Sequence, residues 1–232
     1  MEISKILDDF VKECSKKLNL ISIIQFGSST YAKNPNDIDL VFVFKDMVLY
    51  LKEFDKLLNI TSYFGKKYPS VSFNMSTPTD VKKCKITIVP LQKADLEFQI
   101  DKFFLNFIKK DKNRKVLFGK DPFESLKIIF SKREIIERLA IEINHYSRLK
   151  FEGKDFSEYR DFISYFFKSV LRIMLVEEEV SKKGDLISLF KNRYPQITLP
   201  ADFKNILDHK IVKEDYYEVL TFSKNCLEIL TK

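Results

Sequence analysis

The stretch IIQFGSSTYAKNPNDIDLVFVF, Ile23 to Phe44, constrains the fold of this chain more than any other. An apolar run that begins at Leu20 stops at Gly27, gives way to a short polar loop, and resumes as a second apolar run opened by two aspartates one residue apart. Apolar runs bounded by turn residues predict two strands. At the start of the second, Asp37 and Asp39 alternate with Ile38 and Leu40, so both carboxylates project from one face and both apolar side chains from the other. Like charges that close repel unless a cation lies between them, and oxygen-only ligands with open positions suit Mg2+ or Mn2+. The chain has only five glycines. Gly27 lets backbone amides approach a ligand, while Ser28, Ser29 and Thr30 add hydroxyl donors, and phosphate is the ligand those groups suit.

The order of strand, Gly-Ser, short loop, Asp-x-Asp and strand resembles the signature of the nucleotidyltransferase superfamily. That superfamily includes DNA polymerase beta, CCA-adding enzymes, aminoglycoside nucleotidyltransferases and the minimal nucleotidyltransferases paired with HEPN proteins. The resemblance implies a polymerase-beta-like α/β (α+β) domain with a small mixed sheet, followed by an all-α bundle. It implies that Gly27 and Ser28, with Ser29 beside them, bind the triphosphate of an NTP and that Asp37 and Asp39 hold metal ions. A third carboxylate on a later strand completes such sites. Asp95, in the run ADLEFQI, is the candidate, with Glu97 as the alternative. The family's loop often carries a second glycine and a basic residue, where this chain has Ala32 and Tyr31.

Alternating helical and strand patterns fill residues 1–122, the expected catalytic domain. Helix is predicted over residues 2–18, again through MVLYLKEFDKLLNI, and from about Asp101. Strands are predicted at SVSFNMS, CKITIVPL, ADLEFQI and, ended by Gly119 and Pro122, KVLFG. Residues 123–232 show almost only helical periodicity, with apolar stripes such as Phe162, Ile163, Phe166, Val170, Leu171 and Met174 that require a partner face; an antiparallel bundle satisfies them.

Forty Lys and Arg against 33 Asp and Glu give a net charge of +7, which favours anionic partners such as nucleotides or RNA. The lysine groups at Lys66-Lys67, Lys82-Lys83, Lys109-Lys110 and DKNRK could guide such a partner or form a solvated face. No apolar window is long enough for a membrane span, and MEISKILDDF lacks the pattern of a signal peptide, so a cytoplasmic protein is expected. Cys14, Cys84 and Cys226 read as reduced packing residues.

The function expected is transfer of an NMP from an NTP to a hydroxyl of a protein, an RNA end or a small molecule. Two other readings are a non-catalytic, antitoxin-like binding or regulatory protein of the same fold, and a HEPN-like ribonuclease built on Arg138 and His145. His145 otherwise reads as a solvated or capping residue, the reading preferred for it, and the same holds for His209.

Overall fold

The computed structural model describes residues 3–31, 37–45, 50–69, 71–74, 86–148, 159–179 and 183–232. The chain divides into two compact units, Met1–Ile128 and Ile129–Lys232. The first unit extends past Pro122 because Phe123 is fully buried in its core and Leu126 and Ile128 pack against the same cluster.

In the first unit, α1 (Ile3–Lys17) leads into β1 (Leu20–Phe26), a 3-10 turn (Gly27–Thr30) and β2 (Ile38–Phe44). Then come α2 (Tyr50–Lys67), β3 (Phe73–Asn74), β4 (Ile86–Gln92), α3 (Lys93–Glu97), α4 (Lys102–Lys110) and β5 (Lys115–Gly119). The strands form one mixed sheet in the order β3-β4-β2-β1-β5. β1 runs antiparallel to β2 and β5, while β4 runs parallel to β2 and β3.

Both faces of the sheet are covered, and the two-residue period of the strands sorts the side chains between them. Ile38, Leu40, Phe42 and Phe44 join Ile6, Phe10, Leu57 and Phe64 on the α1/α2 face. Val41 and Val43 join Val89, Leu96, Leu105 and Ile108 on the α3/α4 face. Phe10 anchors the first cluster, with its ring centroid 5.2 Å from that of Phe64 and 4.7 Å from that of Phe73. Burying each such ring contributes about 1.5–3 kcal/mol.

The second unit contains α5 (Lys132–Ser147), α6 (Arg160–Met174), α7 (Lys183–Arg193), α8 (Phe203–Leu207) and α9 (Lys213–Thr231). α6 is its centre, packing against α5, α7, α8 and α9, and Phe166, Phe167, Val170 and Leu171 are fully buried there. Ser131 and Glu134 form a capping box that starts α5. His209 is neither simply solvated nor a cap: it follows α8 in a left-handed conformation (φ 63°), and its ring lies 2.6 Å from Asp161 and 3.0 Å from Lys168, both on α6.

Two strand expectations are corrected. The run ADLEFQI is α3 followed by a turn: Gln99 has φ 51°, Leu96 alone of the run's large apolar residues enters the core, and Phe98 and Ile100 are exposed. SVSFNMS contributes to the sheet, among the described residues, only Phe73 and Asn74. The short α8 had no counterpart in the sequence reading. Burial pushes the thiols of Cys14 and Cys226 up, which keeps them protonated and inert; Cys84 lies outside the described residues. Among the described residues no helix is long and apolar enough to cross a membrane.

Candidate active site

One edge of the sheet gathers the sequence signals. β1 ends there at Phe26, and its antiparallel partner β2 begins there, with Phe26 paired to Asp39. β4, parallel to β2, also begins at that edge. The 3-10 turn therefore stands directly beside Asp39.

Gly27 makes this juxtaposition possible. Its φ is +74°, and a Cβ there would lie 3.1 Å from Asp39 Oδ2. A side chain would be strained by the left-handed backbone, which is what favours glycine here, and would press the Asp39 carboxylate aside by a few tenths of an ångström. Asp39 shares its face of β2 with Val41 and Val43, the α3/α4 face, and Asp37 precedes it by two residues; both acids are half-buried.

The turn is held from within. The buried Gln25 amide donates from Nε2 to Ser29 O at 3.1 Å and to Ser29 Oγ at 3.0 Å. Thr30 Oγ1 donates to Gly27 O at 2.7 Å. Ser29 and Thr30 are accordingly buried, whereas Ser28 is exposed at the tip of the turn. Of the three serine and threonine hydroxyls, Ser28 is the one presented outward.

Asp111 is the residue that sequence reasoning missed. It is buried at the end of α4, and its Oδ2 accepts from Gly27 N at 2.8 Å while Oδ1 accepts from Asn113 N at 2.9 Å. Arg114 completes the corner: Nη1 donates to Lys109 O at 2.7 Å and to Asp111 O at 3.1 Å, and Nε pairs with Asp121 at 2.7 Å. The α4–β5 corner thus grips the start of the turn from 84 residues away in sequence. The only local sign was an acid, Asn and Arg clustered in DKNRK, which reads equally as a solvated loop.

Asp111→Ala leaves the half-buried Gly27 and Asn113 amides without their acceptor, a loss of about 1–2 kcal/mol, since water can partly replace it. The expected result is a lower Tm together with a weakened thermal shift on adding NTP. An unchanged Tm would show that the corner does not hold the turn.

Asp95 lies elsewhere in the local scheme. It is the third residue of α3, where its Oδ2 accepts from Gln92 N at 2.7 Å and closes the helix start. Glu97 pairs with Lys93 on the exposed side of α3. The residue of β4 in register with Asp39 is Thr87, on the face shared by Val89 and Leu91. β4 reads ITIVPLQ and carries no acid. Among the described residues, no three His, Cys, Asp or Glu side chains come together as a metal-holding group. The structure therefore sets Gly27 against Asp39, with Asp37 two residues before it, Asp111 bonded to the Gly27 amide and Thr87 in register with Asp39, whereas Asp95 follows the far end of β4.

In the second unit, Arg138 pairs with Glu142 at 2.8 Å, one turn along α5, while the exposed His145 packs edge-on against Tyr146. Ala32, of the turn's loop, and Lys82-Lys83 lie outside the described residues.

The fold is that of a nucleotidyltransferase: a mixed-sheet α/β unit followed by a helical one. The solved structure that carries this statement is spectinomycin adenyltransferase AAD(9) from Enterococcus faecialis, determined with ATP and spectinomycin. The chain is similar to it over 98% of its own length and 98% of that chain, with a TM-score of 0.57 and 14% identity. No family model matches the chain, and no curated protein matches it in sequence.

Proposed function

We propose that the protein is a metal-dependent nucleotidyltransferase that moves an NMP from an NTP to a hydroxyl acceptor and releases pyrophosphate. The observation that supports this reading is the meeting of the Gly27 turn with Asp39, where backbone suited to phosphate would face a carboxylate. The neighbour's ATP supports an NTP as donor.

Asp37 and Asp39 would hold Mg2+ or Mn2+. Their chemistry fits such an ion: two half-buried carboxylates, one just before β2 and one two residues on within it, would supply hard oxygen ligands. Bound there, the ion neutralises phosphate charge and lowers the pKa of the acceptor hydroxyl. Ser28 and the amides of the turn orient the triphosphate, and Asp111 fixes the turn that carries them. The acceptor oxygen bonds to the α-phosphorus, the bond to the bridging oxygen breaks, and pyrophosphate leaves. The reading rests on two acids, with Asp95 assigned to its helix start. An NTP donor suits a cytoplasmic protein, and the acceptor class spans RNA ends, proteins and small molecules.

The test uses the full chain with each of four α-labelled NTPs, Mg2+ or Mn2+, and cell extract. Label transfer with stoichiometric pyrophosphate release, abolished by chelator, is the expected result. A thermal shift with NTP but no turnover under any condition would favour the binding or regulatory reading instead.

A further inference from the structure

A cavity of about 810 Å³ lies between α1 and α2, on the side of these helices away from the Asp37/Asp39 face of the sheet. Its floor is Ile60 and Phe64, both buried. Its walls carry five lysines, Lys12, Lys16, Lys17, Lys56 and Lys67, against two acids, Asp9 and Glu13. The lysines are spread along both walls, three on α1 and two on α2. At 1.5 Å per residue the α2 wall from Lys56 to Lys67 is about 16 Å long.

Part of this charge answers to the helices themselves. Lys16, Lys17 and Lys67 sit in last turns, where cations complement the helix dipole, and Glu13 and Glu53 pair with Lys17 and Lys56. That account leaves Lys12, in the interior of α1, and it leaves the aromatic rim. Tyr63 is 57% exposed, yet its ring is buttressed edge-on by buried Phe64 at 5.7 Å and 78°. The Lys67 ammonium lies 5.8 Å from the Tyr63 ring centre and 5.1 Å from that of Tyr68. An exposed aromatic ring braced by a neighbour and flanked by a lysine ammonium, beside spaced point charges, is the pattern that binds single strands, with bases against rings and phosphates along lysines.

We propose that this groove binds single-stranded RNA. A bilayer is a poor occupant of a concave, charged groove, and lysines spread along its length suit a chain of phosphates better than one nucleotide. The inference stands independently of the transferase reading, because the groove and the aspartates lie on opposite faces of the sheet.

The experiment is fluorescence anisotropy of a labelled U12 RNA with the full-length protein. If three phosphates are neutralised, raising salt from 50 to 200 mM should weaken binding about 20-fold. Tyr63→Ala, which keeps all charges, should weaken it about 10-fold through lost stacking. Lys12→Glu with Lys16→Glu should weaken it at least as much, whereas the charge-matched Lys213→Glu with Lys224→Glu, exposed on α9, should change it less than 2-fold. Equal losses from the two lysine pairs, no loss from Tyr63→Ala, competition by polyglutamate as effective as by unlabelled RNA, or no binding at 50 mM salt would each overturn the proposal. Unchanged Tm values in all variants keep the comparison to binding.

Discussion

Asp39→Asn is expected to reduce NMP transfer by about 10³-fold or more while leaving the protein folded. The reason is charge rather than shape: asparagine matches the volume of aspartate but supplies no anionic oxygen to a divalent cation. A bound ion contributes several kcal/mol of transition-state stabilisation, and each 1.36 kcal/mol lost is tenfold in rate. Asp37→Asn should behave alike, and the double variant should be little worse than either, because in the proposed site the two acids would hold one ion and act as a unit.

Stability supplies the discriminating control. Alternate strand residues lie about 7 Å apart, so two charges there repel by about 0.6–2.4 kcal/mol, and by less once solvent and salt screen them. Without metal the Asn variants should therefore unfold within about 4 °C of the parent or slightly above it. On adding Mg2+, the parent's Tm should rise and the variants' should not. Transfer retained in the double variant would sink the assignment of these acids.

Gly119→Ala should cause the largest loss of stability from a single methyl group. Gly119 ends β5 with φ +78°, and a Cβ there would lie 1.9 Å from Ile21 O and 3.0 Å from Ile21 C. Both atoms are backbone of the neighbouring strand β1, which is itself pinned between β2 and β5, so neither can move aside as a flexible side chain would. Left-handed strain and forced separation of the strands together cost on the order of 3–5 kcal/mol, a drop of about 10 °C or more in Tm. Gly65→Ala is the matched control. It lies inside α2 with nothing within 4 Å of the added Cβ, and a helix interior prefers alanine by about 0.5–1 kcal/mol. A Gly119→Ala protein that melts with the parent would contradict the strand geometry at this end of β5.

Helices whose apolar stripes bury one face were legible from periodicity alone. α1 and α4 lie close to where they are expected and α6 carries its expected stripe, because the spacing of Ile6, Leu7, Phe10 and Val11, or of Ile163, Phe166, Phe167 and Val170, encodes the buried side directly. ADLEFQI shows where period fails. It alternates as a strand does, but Asp95 bonds the amide of Gln92 and starts a helix at the end of β4. A short run carries too few residues for alternation to outweigh a cap, and the neighbours that leave Phe98 and Ile100 exposed are not written in the run itself.

The candidate site divides in the same way. Local pattern placed Asp39 on the face opposite Ile38 and Leu40 and ended the first strand at Gly27, since both follow from a two-residue period and from the conformational freedom of one residue type. Tertiary structure alone decided that Thr87 stands in register beside Asp39, that Asp111 reaches Gly27 from the α4–β5 corner, and that Ser28 rather than Ser29 is presented outward. These are relations between segments. Register is set by backbone hydrogen bonds and by burial on both sheet faces, and a local pattern states which face a side chain takes without stating what will stand opposite it.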